Sequence, residues 1–269
     1  MIPAAFAYHR AASVDDAIEA LGQDEDAKVL AGGHSLIPAL RLRIARPSVL
    51  VDVGRLDDLR YVRDDGDRVA IGALTRHAQL ATDAVLRRDC AVVARTAALV
   101  GDPQVRHRGT IGGSVAHADP ASDLPTVLLA LDADLVARGP EGERTIAASS
   151  FFMGPFETAL APREVLTEIR VPKVERGVYL KHTRRAQDWA TVGVAAAVVD
   201  GATRVAFASM APTPIRARAV EEALASGAGA AEAAGHSSEG ADPPSDVTGS
   251  AQYRAHLAEV YVRRALEQL

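Results

Sequence analysis

Two short glycine-rich segments carry the clearest chemistry in this chain: Ala31-Gly32-Gly33-His34-Ser35-Leu36 and Thr110-Ile111-Gly112-Gly113-Ser114. A diphosphate needs several backbone N–H donors that converge with no side chain in the way. Consecutive glycines permit that close approach, and a helix that follows adds a favourable dipole. Thr110 and Ser114 offer hydroxyl donors as well. Either segment alone reads first as a tight turn that needs positive φ. Two segments of like chemistry, far apart in sequence, point to a clamp on one large ligand. Neither is G-x-G-x-x-G, which disfavours a Rossmann fold.

The elements that must position these segments follow from the pattern around them. Ser13 is an N-cap with acidic Asp16 at N3, opening a helix to about Leu21 that Gly22 stops. Residues 28–31 form a short strand leading into the first glycine segment. Ser35 then caps a helix with Leu36, Ala39, Leu40 and Ile44 on one face, Pro38 being tolerated in its first turn. Residues 49–53 are a buried strand, and 61–62 with 69–71 form a hairpin around the acidic turn 64–67. A long helix covers 83–100, with Cys90 as a small core residue. After the second glycine segment come a helix near 123–131, a hairpin across 139–142 and a strand over 164–171 ended by Pro172. Residues 178–182, 192–199 and 204–209 form an antiparallel meander turning at Asp200-Gly201. Two helices follow, at about 216–225 and 250–269. Between them, 226–246 is rich in Gly, Ala, Ser and Pro and reads as a mobile loop. A domain boundary falls near 172–177.

Composition excludes several classes. The chain has 269 residues, 48% hydrophobic and 24% charged, an ordinary globular balance with room for two or three compact units. A net charge of −5 argues against a nucleic-acid partner, which usually shows as a basic face. No apolar run approaches the ~20 residues of a membrane helix, and the N-terminus lacks the pattern of a signal peptide. A single cysteine, Cys90, allows no internal disulfide and no cysteine-ligated cluster or zinc. The expected location is the cytoplasm. The acidic pairs 15–16, 57–58 and 64–65 read as caps and solvated turns.

The two glycine segments, with three further stretches, resemble the FAD-binding medium subunit of the molybdenum hydroxylases, the family that includes aerobic carbon monoxide dehydrogenases and xanthine dehydrogenases. The matching stretches are Ala31 to Leu36, then Thr110-Ile-Gly-Gly-Ser-Val-Ala-His-Ala-Asp-Pro-Ala-Ser-Asp123, then Lys181-His-Thr-Arg-Arg-Ala-Gln-Asp-Trp-Ala190. The tail Ala241-Asp-Pro-Pro-Ser-Asp246 with Tyr253-Arg254 matches as well. The resemblance covers nearly the whole chain, and the second stretch is the longest and most specific.

The resemblance implies an α+β fold: a PCMH-type (vanillyl-alcohol-oxidase-like) FAD-binding domain over 1–174, built of two α/β lobes of about 1–55 and 56–174. A smaller C-terminal domain over 175–269 follows, a three-stranded antiparallel sheet plus helices. It implies non-covalent FAD, with the pyrophosphate held by Ala31, Gly32, Gly33, His34, Ser35, Leu36, Thr110, Ile111, Gly112, Gly113 and Ser114. Asp123 would accept from a ribose or ribityl hydroxyl; otherwise it caps the following helix. Leu166 and Lys181 would line the flavin, where a cation favours the electron-rich reduced ring; otherwise Lys181, one of only three lysines, is a solvated strand residue. Trp189 would stack on the ring or pack at the domain junction. Arg106, His107 and Arg108 would screen the diphosphate; otherwise they form a solvated loop or a subunit contact, and His117 and Asp119 build a turn. No residue is assigned to catalysis or to a metal.

The implied role is electron transfer. The FAD would take electrons from the [2Fe–2S] clusters of a small partner subunit, after a molybdopterin-bearing large subunit oxidises the substrate, and pass them to an external acceptor. The implied assembly is a heterohexamer, a dimer of heterotrimers. Two alternatives stand beside this reading. Flavin oxidases of the vanillyl-alcohol-oxidase superfamily also carry Gly-Gly-His and in some members bond FAD through the histidine, here His34. An assembly module with a vestigial FAD fold is the other.

Overall fold

The computed structural model describes all residues, 1–269. The first lobe is a three-stranded parallel sheet with helices: β1 (Ala7–Arg10), α1 (Val14–Leu21), β2 (Lys28–Leu30), α2 (Leu36–Arg41) and β3 (Val49–Asp52). The strand order is β1-β3-β2, so the strand after the first glycine segment lies between the other two. Ser13 caps α1 as expected, accepting from the Asp16 N–H at 3.0 Å, and Asp16 reaches back to the Ala12 N–H at 2.7 Å. β1 was not legible in the sequence, because Ala7-Tyr8-His9-Arg10 has no apolar alternation and stays largely exposed.

The second lobe holds β4 (Val62–Asp65), β5 (Arg68–Gly72), α3 (His77–Thr82), α4 (Ala84–Asp89), α5 (Ala91–Leu99), α6 (Pro103–Arg108), α7 (Ile111–His117) and α8 (Asp123–Ala130). It continues with β6 (Asp134–Gly139), β7 (Gly142–Ala147), β8 (Phe152–Gly154), β9 (Glu157–Thr158) and β10 (Val165–Pro172). Its main sheet is antiparallel throughout, in the order β4-β5-β10-β6-β7. The single helix expected over 83–100 is broken into α4 and α5 at Cys90, whose backbone leaves the helical region at φ −153°, ψ 61°. Asp83 starts α4 by accepting from the N–H groups of Val85 and Leu86.

The C-terminal part comprises β11 (Gly177–His182), β12 (Val192–Val199), β13 (Ala202–Ala208), β14 (Ile215–Arg216), α9 (Arg218–Ala225), α10 (Ala230–Ala234) and α11 (Ala251–Leu266). The meander gains a short fourth strand, β14, paired with β13 at Ala206 and Phe207. The expected mobile loop over 226–246 is also corrected. It contains α10, the Asp242 N–H donates to the Met210 carbonyl, and Asp246 is gripped by buried Arg254.

One helix ties the parts together. All eight residues of α8 are buried, because it lies between helices α5 and α7 and the C-terminal sheet. β12 alternates with period two: Ala195, Ala197 and Val199 join the large core with α8, while Val192, Val194 and Ala196 pack under α9–α11. A strand buried on both faces needs no polar side, which explains its uninterrupted apolar run.

Candidate cofactor site

The first glycine segment leaves β2 and turns into α2. Gly33 adopts φ +79°, a left-handed conformation that glycine accepts without strain. Gly32 lies flat against the second lobe, where a Cβ would overlap the Arg108 carbonyl oxygen. Ser35 occupies the N-cap position of α2 but makes no side-chain cap, so its hydroxyl is free. The expected apolar face ends early: α2 stops at Arg41, and Ile44 is 78% exposed. The backbone N–H groups of Gly32, Gly33, His34, Ser35 and Leu36 meet no acceptor within the protein. Five consecutive open donors in a turn form a concave, anion-seeking surface, which suits a diphosphate.

The second segment is built differently from the expectation. It is the first turn of α7, not a loop, and most of its amides are taken up by the fold. Ile111 N–H donates to the Thr75 carbonyl at 3.0 Å, and Gly112 N–H to the Ala73 carbonyl at 2.8 Å. Gly113 N–H donates to the Thr110 hydroxyl at 3.1 Å, and Ser114 N–H to the Thr110 carbonyl at 3.0 Å. The amides of Ile111 and Gly112 thus tie α7 to the segment that follows β5. The two segments do face each other: a Cβ on Gly113 would stand 3.8 Å from the Ala31 Cβ.

Past the turn at the end of α7, Asp119 builds the local structure by accepting from the Ala121 N–H at 2.9 Å. His117 packs on Phe156, ring centroids 5.1 Å apart. Asp123 then opens α8. It is not the helix cap, a position held by Ser122; its carboxylate faces β11 instead. Tyr179 donates its hydroxyl to Asp123 Oδ1 at 2.7 Å, and Lys181 donates Nζ to Oδ2 at 3.0 Å. All three side chains are nearly sealed from solvent. Lys181 is thus no solvated strand lysine. Burial pushes the Asp123 carboxyl up from its ordinary value, while Lys181 and the Tyr179 hydroxyl pull it down. Burial and the neighbouring Asp123 push the Tyr179 phenol well above its ordinary value. Tyr179 is a residue the sequence reading missed. The signal was its i, i+2 spacing from Lys181, which places both on one face of a strand.

The remaining candidates are scattered around this line. Leu166, 6% exposed, belongs to the large core, opposite Ala137 on β6 and beside a register shift in β10. Trp189 is 55% exposed, so core packing does not describe it. Its segment is anchored next to α8: Ser209 donates its hydroxyl to the Ala190 carbonyl and its N–H to the Pro120 carbonyl. Arg106 turns its guanidinium onto the carbonyls of Val100 and Gly101 and ends as a structural residue of α6. Under the first glycine segment sits His77, 3% exposed, with Nδ1 unpartnered and a Cβ on Gly109 only 2.8 Å from its ring. Burial, with the charges of Arg106 and His34 behind it, pushes its pKa down to about 4. No group of three His, Cys, Asp or Glu is arranged to hold a metal, and no helix is long and apolar enough to cross a membrane.

Comparison with known proteins shows the family. Residues 4–174 match the family described as the FAD binding domain in molybdopterin dehydrogenase, and residues 178–269 the CO dehydrogenase flavoprotein C-terminal domain. The chain is 40% identical to the carbon monoxide dehydrogenase medium chain of Hydrogenophaga pseudoflava, over 99% of this chain and 97% of that one. It is 39% identical to the 6-hydroxypseudooxynicotine dehydrogenase complex subunit alpha of Paenarthrobacter nicotinovorans, over 99% and 95%. Among solved structures it superposes on carbon monoxide dehydrogenase from Hydrogenophaga pseudoflava with a TM-score of 0.96 at 41% identity, covering 100% of this chain and 98% of that one.

Proposed function

This chain belongs to the FAD-binding medium-subunit family of the molybdenum hydroxylases, and from that premise we propose how its own residues hold the cofactor and what it assembles with. It is an FAD-binding, PCMH-type oxidoreductase subunit with an electron-transfer role. The observation that carries the residue-level reading is the run of five open amides from Gly32 to Leu36.

In this reading the amides of Gly32, Gly33, His34, Ser35 and Leu36 bind the pyrophosphate. Ala31 and Gly113 bring the two segments together beside it, with the hydroxyls of Ser35, Ser114 and Thr110 at its rim. Ile111 and Gly112 act by fixing α7. FAD, when bound, accepts electrons from one partner and releases them to another. Lys181, held by Asp123, keeps a positive charge beside the flavin; Leu166 limits water from the core side, and Trp189 covers the ring from the solvent side. His34 flanks the pyrophosphate without bonding to the flavin. The FAD-binding unit spans 1–174 and the C-terminal unit 175–269.

The chain works in the cytoplasm with a [2Fe–2S] small subunit and a molybdopterin large subunit, two copies of each forming a heterohexamer. Two relatives of nearly equal identity carry the names of a carbon monoxide dehydrogenase and of a 6-hydroxypseudooxynicotine dehydrogenase complex. The substrate is accordingly a property of the large subunit and not of this chain. The test is purification followed by acid precipitation. Yellow protein that releases its flavin as intact FAD into the supernatant supports the reading. Flavin left in the pellet points to a covalent bond at His34, and well-folded protein that takes up no FAD contradicts the reading altogether.

A further inference from the structure

The bonds made by Asp123 lead one step beyond cofactor binding. Both carboxylate oxygens are already engaged, Oδ1 by the Tyr179 hydroxyl at 2.7 Å and Oδ2 by Lys181 Nζ at 3.0 Å. Relative exposures of 7% for Tyr179 and 6% for Asp123 leave little solvent to replace either bond. Buried ion pairs add little to stability, because desolvation offsets their attraction. A buried pair carrying an additional phenol donor therefore asks for another reason.

The fold makes room for that phenol at a cost in side chains. Lys181 pairs with Gly193 across β11 and β12, and a Cβ on Gly193 would overlap the Tyr179 hydroxyl. Glycine in a strand interior weakens the strand and marks a close approach. Here the approach is that of the tyrosine to Asp123.

We propose that Tyr179 is a positioning residue for the cofactor: through its hydrogen bond to Asp123 it keeps that carboxylate ionised as the counterion of Lys181, and so fixes the net charge beside the flavin. The inference rests on the placement of Lys181 at the flavin argued above. Without the phenol, Asp123 retains one partner in a buried site and takes up a proton more readily. The Lys181 ammonium then stands uncompensated, and one positive charge is added next to the ring. Added positive charge favours the reduced, electron-rich flavin.

The surroundings offer no other group to do this. β12 carries no ionisable side chain. Arg95 on α5 donates to the Gly177 carbonyl, and Arg204 on β13 pairs with Asp132. Asp119, in the turn before α8, adds a repulsion that favours protonation of Asp123. His117, at the end of α7, is disfavoured as a cation by its burial.

The experiment is the FAD midpoint potential of the FAD-loaded protein as a function of pH, for wild type, Tyr179→Phe and Asp123→Asn. Phenylalanine keeps the ring and leaves the glycine segments untouched, so FAD content should be retained. In Tyr179→Phe the potential rises above wild type on the acid side and converges with it on the alkaline side. In Asp123→Asn, which removes the titration, it is raised at every pH. If Tyr179→Phe cannot be obtained folded, Tyr179→Leu, which likewise removes the hydroxyl bonded to Asp123, is titrated in its place against the same Asp123→Asn reference. Coincident curves, or a Tyr179→Phe curve offset equally at all pH, overturn the inference while the FAD reading stands. Wild-type protein that holds no FAD overturns both, and is recognised by flavin content before any titration.

Discussion

At the scale of single residues, the proposed cofactor site depends on atoms that are missing. A methyl group at position 32 would run into the Arg108 carbonyl oxygen, and position 33 is held at φ +79°. Gly32→Ala must therefore push the first glycine segment away from the second lobe and splay the open amides. The expected loss of FAD affinity is about tenfold or more, ~1.4 kcal/mol, read by fluorescence titration; unchanged affinity would remove Gly32 from the site. His77 gives a second prediction at this scale. In the unfolded chain it takes a proton near its ordinary pH 6.5, whereas in the fold its pKa lies at about 4. The unfolded state thus binds more protons in that window. The contribution of neutral His77 to stability is complete above pH 6.5 and is lost as the pH falls toward 4, by about 3 kcal/mol at most. His77→Leu should flatten the stability curve between those two values in urea unfolding at stepped pH. A curve as steep as wild type would contradict the assignment.

Between residues and the whole molecule, the elements show where the sequence was readable and where it was not. The helix at Ser13, the hairpins at 62–72 and 134–147 and the C-terminal meander all follow local rules: a cap, a turn with glycine, an apolar alternation. What failed depended on tertiary contacts. Cys90 breaks a segment of good helix formers because α4 and α5 must each find a different place in the core. Gly112 reads as loop by composition, yet becomes helical because Ala73 and Thr75 supply acceptors from 35 to 40 residues upstream in the chain. Residues 226–246 have a flexible composition but are tied down from α11. Arg254, 2% exposed, donates to both oxygens of Asp246 at 2.7 Å and to the Thr191 carbonyl. Arg254→Met should cost about 2 kcal/mol, a figure reduced because Asp246 remains partly in solvent. It should also raise amide hydrogen exchange across 241–250. Protection left as in wild type would show that the clamp is not what holds this segment.

For the whole molecule, the glycine segments, Asp123, Lys181 and Trp189 stand out as candidates from the sequence, because the motif is long and its residue types are specific. Their relations do not. Nothing local says that Asp123 and Lys181 hold each other, that Tyr179 completes the pair, or that the run of open donors lies on the first segment. Those facts arise where α8 is enclosed between α5, α7 and the C-terminal sheet, elements that meet only in the fold. The central claim is that the protein grips FAD by its diphosphate through the amides of Gly32 to Leu36. The most direct measurement is calorimetric titration of deflavinated protein with FAD and, separately, with FMN, which has the same ring but no diphosphate bridge. Stoichiometric binding of FAD with FMN at least a hundredfold weaker, ~2.7 kcal/mol, is the result expected. Equal affinity for the two, or no binding of FAD, would contradict it.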